Sequence, residues 1–386
     1  MEAKLLRMLR SKILPYLLHR AKEGSPMAKN PYESLPATSF WRNAVGNSAA
    51  PVPTGLYNKK WPINKSECIA TAGSCFAQHI GRRLKSNGFN VMDVEPPPQG
   101  LSADDQGRFG YSIYSARYGN IYTARQLLQL GREAFGEFTP SDIVWEAGGA
   151  FYDALRPGVE PGGLESAAEV LMHRECHLER VREMFETMDL FVFTLGLTEA
   201  WIHKPSGTVY PTAPGTIAGM YDPGVYEFKN FDYGEIRSDL LEFREFVHSK
   251  QSKKCRFLLT VSPVPLTATA TENHVMVATV YSKSVLRGVA GELSMAYDDI
   301  DYFPSYEIIT NPWSKELYYE ENLRSVKKEG VGVVMKTFLG AHLGEESQIA
   351  EMAHTSPAAS VEQSSDSEED VICEEAILDA FGREVS

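Results

Sequence analysis

The chain has 386 residues, of which 43% are apolar and 23% are charged, so it can bury a sizeable core in one large domain or two smaller ones. Its formal net charge of −13 is concentrated in residues 341–386, which hold 12 acidic side chains and one basic one, while the remainder is close to neutral. This balance argues against a nucleic-acid partner, and five widely spaced cysteines without a CxxC pair argue against a disulfide framework or a zinc site.

The first 29 residues are basic, and their leucines recur at helical spacing. This pattern predicts an amphipathic helix that lies on an anionic membrane, docks on a protein partner or packs on its own domain. The sequence has no apolar run of 18 residues and no signal peptide with a cleavage site, which predicts a reduced, cytoplasmic protein.

Strand and helix signals alternate through the middle of the chain. Short apolar runs predict strands at 67–72, 90–94, 189–195, 256–262 and 300–308. Helical patterns predict helices at 75–87, 123–135, 163–188, 234–251, 275–297 and 327–339. The alternation predicts an α/β fold in which helices cover both faces of a mainly parallel sheet.

Three of these strands are followed by polar loops. Ser74 follows the first strand, "GLTEAW" (196–201) the third and "SPVPLTAT" (262–269) the fourth. Ligands of parallel sheets bind beyond the carboxyl ends of the strands, so we expect these loops to meet at one rim. The loop-rich stretch 97–160 is too long for a simple crossover and is expected to lie over that rim.

The predicted organisation is therefore a basic N-terminal segment (1–29), one α/β domain (30–342) and an acidic tail (343–386). The composition of the tail is typical of disorder. Within it, "CEEAILDAF" (373–381) has the pattern of a short amphipathic helix that could dock on another surface.

Ser74 stands at the predicted turn from strand to helix, where two roles are common. It could cap the helix, or it could be a nucleophile beside backbone N–H groups that stabilise an oxyanion. Cys75 is the rival nucleophile, because a thiol at a helix N-terminus is easily ionised; otherwise it is a small buried residue.

Several motifs resemble the GSCFA family in one consistent order. They are "NPYESLPATSFWR" (30–42), "GSCFA" (73–77), "ARYGNIYTARQLLQL" (116–130), "FVFTLGLTEAW" (191–201), "LLTVSPVPLTAT" (258–269), "VYSKSVLR" (280–287) and "YFPSYEI" (302–308). That family resembles the SGNH/GDSL hydrolases, so the resemblance implies a three-layer α/β/α sandwich of the flavodoxin-like kind.

The resemblance also implies roles for individual residues. Ser74 matches the SGNH nucleophile, and Gly196 and Thr198 match the block that supplies the oxyanion hole, with Thr198 in place of an asparagine. Gly119 is the candidate for a further N–H donor of that hole; its alternative is a plain turn.

The last motif departs from the pattern. SGNH enzymes carry Asp-x-x-His before the final helix, whereas "EENLRSV" (320–326) has Asn322 and Ser325 at those places. The base expected there is absent. His274, which follows the fourth strand's loop and opens a helix, is the first candidate to replace it.

Two other histidines and two carboxylates complete the set of candidates. His203 and His79 are alternative bases, and Glu199 and Glu307 could orient a base or act as one. Lys283 and Arg287, spaced i, i+4, could hold an anion or form a solvated, ion-paired helix face. His173 and His177 have metal-ligand spacing without an evident third ligand, so we predict an exposed helix face there and no metal.

Together these observations predict a serine esterase or O-acyltransferase that acts on a carbohydrate ester. No cofactor is expected beyond an acyl-CoA donor if the protein is a transferase. The alternative is a binding module for a glycan or nucleotide-linked sugar that has lost its catalytic base. A third hypothesis is an assembly protein that docks partners through its charged ends. The shared fold alone does not decide between them.

Overall fold

A computed structural model describes residues 30–47, 55–312, 314, 317–343 and 378. The predicted helix of residues 1–29 and most of the acidic tail lie outside the described residues. Contacts divide the chain into two units, Met1–Gly55 and Leu56–Ser386. The first unit contains a 3₁₀ turn at Ala37–Ser39 and a π-helical turn at Arg42–Gly46.

The second unit contains the α/β fold. Its strands are β1 (Ile69–Gly73), β2 (Val144–Ala147), β3 (Ala150–Asp153), β4 (Leu190–Leu195), β5 (Glu199–His203), β6 (Val209–Tyr210), β7 (Tyr226–Asn230), β8 (Arg256–Val261) and β9 (Ile300–Tyr302). Its helices are α1 (Ala77–Ser86), α2 (Ala103–Arg108), α3 (Ala124–Ala134), α4 (Ala167–Thr187), α5 (Tyr233–Lys250), α6 (Val275–Ala296), α7 (Ser305–Thr310) and α8 (Lys328–Leu343).

The central sheet is parallel and has the strand order β1-β4-β8-β9. All residues of β1 and β4 are buried, which explains why both strands have continuous apolar or small residues instead of an alternating pattern. Helices α3, α4 and α5 contact one another and α5 also contacts α6, while α8 contacts α1 and α7. The helices therefore form two groups around the sheet, consistent with the predicted three-layer α/β/α fold.

The predicted strand at 90–94 is wrong, because only Val91 pairs with Ile69, in an isolated parallel bridge. The predicted strand at 300–308 is too long. It ends at Tyr302, because the chain turns at Pro304 and continues as helix α7. No helix among the described residues has both the length and the apolar character needed to cross a membrane.

Two smaller sheets were not foreseen. An antiparallel sheet of order β6-β5-β7 occupies residues 199–230, immediately after the "GLT" that ends β4, and β2 and β3 form a hairpin within the loop-rich stretch. The loop 115–122 from that stretch bonds to the main sheet, since the N–H of Ile121 donates to Gly73 O and the N–H of Gly196 to Tyr122 O.

Candidate active site

Ser74 directly follows β1, at the carboxyl edge of the sheet. The turn depends on Gly73, whose φ of +136° is rarely adopted by residues with a side chain. A Cβ on Gly73 would lie 2.4 Å from the carbonyl oxygen of Thr194 on the neighbouring strand β4. Glycine therefore lets the chain pass close to β4 and present Ser74 beyond the strand end.

The side chain of Ser74 does not cap the helix. The N-cap residue of α1 is Phe76, and no side chain makes a capping hydrogen bond there. Ser74 is 3% exposed, and its Oγ has no hydrogen-bond partner among the described residues. A buried hydroxyl without a partner costs about 1–3 kcal/mol, so it requires an explanation other than stability.

Ser74 opens onto a pocket of about 220 Å³. The pocket is lined by Ser74, Cys75, Tyr122, Gly196, Leu197, Ser262, Val264, Pro265, Leu266 and Lys283. These residues come from the ends of β1, β4 and β8, from the loop 115–122 and from helix α6. The predicted meeting of the three strand-end loops at one rim is confirmed.

Lys283 projects from α6 into the wall of this pocket and is 2% exposed. Its Nζ donates a hydrogen bond of 2.6 Å to the carbonyl oxygen of Gly196. One turn later, Arg287 instead forms an ion pair with Glu307 and lies 4.0 Å from the ring of Tyr302. The two members of the predicted i, i+4 pair therefore have different surroundings. The Lys283 amine is buried at the pocket, and the Arg287 guanidinium is paired with Glu307 outside it.

The backbone donors expected for an oxyanion hole make internal hydrogen bonds. The N–H of Ser74 donates to Thr194 O at 3.1 Å, and the N–H of Gly196 donates to Tyr122 O at 3.2 Å. Strand-end N–H groups are already used here to join β1, β4 and the 115–122 loop. In this arrangement the N–H of Gly196, which the resemblance implied for the oxyanion hole, and the N–H of the nucleophile candidate Ser74 are therefore both used within the fold.

Thr198 is also engaged elsewhere. Its N–H donates to Ser282 Oγ at 3.0 Å, and its hydroxyl donates to Asn230 Oδ1 at 2.6 Å, which ties β5 to β7 and α6. Gly119 has a φ of +67° and does not line the pocket, as expected for the turn alternative. Neither residue takes the place that the resemblance implied.

A family comparison matches residues 68–338 to the model of the GSCFA family. The chain belongs to the GSCFA family. No curated protein matches the sequence at a significant level. The relation to SGNH hydrolases, which rests on the resemblance of individual motifs, stays a prediction.

In this GSCFA protein His274 is not placed as the base of Ser74. It is exposed and is the N-cap residue of α6, where its Nδ1 accepts a hydrogen bond of 3.1 Å from the N–H of Met276. The expected hydrogen bond to Ser74 Oγ is absent, and His274 does not line the pocket. The prediction is wrong because the His274 imidazole caps helix α6, a role that a carboxylate or hydroxyl usually fills.

The alternative histidines have other neighbours. His203, on β5, bonds to Ser206 Oγ at 2.8 Å through Nδ1. His79 packs against the ring of Phe76, and burial together with the charges of Arg82 and Arg83 lowers its pKa to about 4. Neither histidine lines the pocket or bonds to Ser74 Oγ.

The candidate carboxylates do not orient a histidine. Glu199 accepts a hydrogen bond of 2.8 Å from the hydroxyl of Thr269, and burial raises the pKa of Glu199. Glu307 pairs with Arg287 and accepts a hydrogen bond of 2.7 Å from the hydroxyl of Tyr302. Glu199 faces a larger neighbouring groove, whereas Glu307 braces α6 against α7.

The residues at the Asp and His places of the SGNH pattern, Asn322 and Ser325, form a local turn. Asn322 Oδ1 accepts hydrogen bonds of 2.9 Å from the N–H groups of Arg324 and Ser325, and its amide donates to Ser325 Oγ at 3.0 Å. Both side chains are exposed. This turn shapes the loop but supplies no acid or base.

His177 contradicts the exposed helix face predicted for the "HRECH" stretch. It is 1% exposed, and its Nδ1 lies 2.7 Å from Glu95 Oε2. Burial and the nearby charge of Arg156 lower the pKa of His177 to about 4, so it is neutral at pH 7 and donates from Nδ1. Its role is a buried hydrogen bond between α4 and Glu95 in the segment that joins α1 to α2.

Sequence reasoning undervalued two residues of the site. The sequence predicts Lys283 only as an anion holder or as part of a solvated face. Lys283 nevertheless lies at helical spacing (i+3 and i+7) from Leu286 and Ala290, which marks the buried side of α6. Asn120, which follows Gly119 and has no predicted role, is buried and accepts a hydrogen bond of 2.6 Å from the Tyr114 hydroxyl, which also lies 3.1 Å from Ser74 O.

Proposed function

We propose that this protein is a serine esterase or O-acyltransferase in which Ser74 is the nucleophile and Lys283 is the general base. The observation that carries the proposal is the buried Ser74 Oγ, without a partner among the described residues, in the pocket that Lys283 lines. Serine–lysine pairs perform acyl transfer on several unrelated folds, so the absence of a histidine does not exclude this chemistry.

The proposed reaction has two halves. Neutral Lys283 accepts the proton of Ser74 Oγ while Oγ bonds to the carbonyl carbon of the ester and the carbonyl electrons move to its oxygen. When the C=O bond re-forms, the bond to the leaving alkoxide breaks and the alkoxide takes the proton from Lys283. Water or an acceptor hydroxyl then attacks the acyl-serine by the same proton route and releases the acyl product.

The negative charge on the oxygen of the tetrahedral intermediate must be stabilised by a group other than the predicted oxyanion hole. Helix α1 begins immediately beyond Ser74, and the positive end of its dipole faces the rim. We assign oxyanion stabilisation to this helix dipole, and not to the N–H groups of Ala77, Gln78 and His79, which donate to carbonyl oxygens of the turn. It takes over the role that the N–H groups of Ser74 and Gly196, already bonded to Thr194 and Tyr122, do not fill.

A carbohydrate ester is the proposed substrate, with an acyl-CoA as donor if the reaction is a transfer. Beside the Ser74 pocket lies a groove of about 750 Å³ that contains the rings of Trp201 and Phe228 together with Glu199. Aromatic rings pack against the C–H faces of sugars, and a carboxyl group can accept hydrogen bonds from sugar hydroxyls.

Turnover of esters tests the proposal. Wild-type protein should release acetate from O-acetylated oligosaccharides or from p-nitrophenyl acetate, and Ser74→Ala should lose that release by several orders of magnitude. Equal release by wild-type and Ser74→Ala protein would contradict the assignment of the nucleophile.

A binding module for a glycan is the second candidate. The engaged N–H groups of Ser74 and Gly196 and the lack of a histidine at Ser74 Oγ favour it. Under this alternative, titration calorimetry detects oligosaccharide binding that Ser74→Ala leaves unchanged, and no ester is consumed.

A further inference from the structure

The groove beside the Ser74 pocket has mostly apolar walls. It shares Leu197 and Leu266 with the pocket, so the two cavities are adjacent and have a common wall. The other lining residues include Trp201, Phe228 and Ala268. Apart from Glu199, the groove has no ionisable group among its lining residues, which makes it a surface for an apolar side chain.

One residue from the far end of the chain lies in this groove. Leu378 is helical, half-buried and part of the groove lining. The preceding described residue is Leu343, at the end of α8. The 34 intervening residues can span more than 100 Å when extended, so chain length places no restriction on this contact.

The sequence around Leu378 has the pattern of a docking helix. Ile377, Leu378 and Phe381 recur at spacings of three and four residues, and Asp379 lies to one side of them. Glu374 and Glu375, four and three residues before Leu378, flank Leu378 on the same side of such a helix. A helix of about ten residues is marginal in water on its own. Such a segment therefore needs an apolar surface to become ordered, and the groove offers one.

We propose that the segment 371–381 docks in this groove through the face that carries Leu378, as an intramolecular plug beside the Ser74 pocket. Leu378 then forms part of the wall of the groove in which we placed the sugar, so docking of the segment narrows that groove and bears on substrate binding. The docking itself rests on the position of Leu378 and not on the proposed chemistry; only its regulatory consequence depends on that function.

Site-specific photo-crosslinking of the full chain tests the docking. Leu378 is replaced by p-benzoylphenylalanine, and Ala380, which in the proposed helix would project to the side opposite Leu378, is replaced in a matched control. After irradiation, the variant at 378 should form crosslinks to peptides containing 197–201 or 266–270 within one chain, several-fold more than the control. Crosslinks that map outside the groove, or that join only two separate chains, would overturn the proposal.

Hydrogen exchange provides a second measurement that does not depend on a bulky label. In full-length Leu378→Asp, backbone amides of 197–201 and 266–270 should exchange several-fold faster than in the wild type, while those of β8 stay unchanged. Equal exchange in both proteins would overturn the proposal. Neither readout uses Ser74 reactivity, so a failure of the proposed enzymatic function leaves both tests interpretable.

Discussion

Lys283 Nζ donates a hydrogen bond of 2.6 Å to the carbonyl oxygen of Gly196, the residue that directly follows β4. This contact joins the longest described helix of the fold, α6, to the sheet edge at which Ser74 lies. Burying an amine costs free energy unless it has hydrogen-bond acceptors. A lysine at this position would therefore lower the stability of the fold if it served only for packing. The contact places the amine at the pocket of Ser74.

Replacing Lys283 tests whether its amine acts as the general base. We expect Lys283→Met, which keeps much of the side chain's volume, to lower kcat for ester hydrolysis by about 10²–10⁴, the range typical of a general base. The KM should change little. Arg287→Met, one turn away and outside the pocket, is the matched control and should retain most activity.

Lys283→Arg refines this test, because an arginine carries a positive charge at this position and does not accept a proton at neutral pH. If it restored the activity lost in Lys283→Met, Lys283 would act by charge and not as a base.

Ser74→Ala should leave the free energy of unfolding unchanged or slightly higher. The Ser74 Oγ makes no hydrogen bond among the described residues, so the substitution removes a buried polar atom without removing a bond. A helix-capping serine would instead cost about 1 kcal/mol on removal. Urea denaturation of the two proteins distinguishes these outcomes.

Cys75→Ala is the matched control for catalysis at the same turn. Since Cys75 lines the pocket without being the proposed nucleophile, this variant should keep most of the ester turnover. Loss of turnover in Cys75→Ala together with activity in Ser74→Ala would make the thiol the nucleophile.

Gly73→Ala should be strongly destabilising. Its Cβ would lie 2.4 Å from Thr194 O, and the φ of +136° is unfavourable for alanine. Gly207→Ala is the control, since Gly207 also has a positive φ but no atom within 4 Å of its added Cβ. We expect Gly207→Ala to cost about 1–2 kcal/mol from backbone strain and Gly73→Ala clearly more. Comparable midpoints of thermal unfolding for the two variants would contradict the close approach of β1 and β4.

Stability should fall as the pH drops below about 6.5. His177 has a folded-state pKa of about 4 because it is buried near Arg156, while in the unfolded chain its pKa is near the ordinary 6.5. A lowered pKa means that the unfolded state binds the proton first, so the stability is complete above pH 6.5 and declines toward pH 4. The loss is about 1.4 kcal/mol per pH unit for one such histidine.

His177→Asn tests this assignment, because its amide can replace the Nδ1–H donor to Glu95 without titrating. Urea denaturation at several pH values between 7 and 4.5 should give a shallower decline for the variant than for the wild type. His79 and His342, whose pKa values burial also lowers to about 4, preserve part of the decline in both proteins. An unchanged slope in His177→Asn would refute the assignment.

The sequence was a good guide to the sheet and a poor guide to the base. Buried parallel strands such as β4 are continuous apolar runs bounded by polar loops, and long helices such as α6 have clear periodicity, so their positions were predicted within a few residues. The rim followed from the rule that strand ends of a parallel sheet meet at one edge.

The failures have a common physical cause. Whether Gly196 N–H faces a substrate or bonds to Tyr122 O depends on a loop that returns from a distant part of the sequence. The same is true of His274, whose capping bond to Met276 satisfies it locally. Periodicity predicts which face of a helix is buried, but it does not show that Lys283 ends at the carbonyl of Gly196.

Covalent labelling of the full-length protein with a fluorophosphonate, followed by peptide mapping, tests the central claim most directly. The reagent reacts with serines that a neighbouring base has activated. We predict one modified residue, Ser74, in the wild type, and a labelling rate at least 100-fold lower in Lys283→Met. A wild-type protein that stays unlabelled between pH 6 and 10, or carries the label on another residue, would contradict the account.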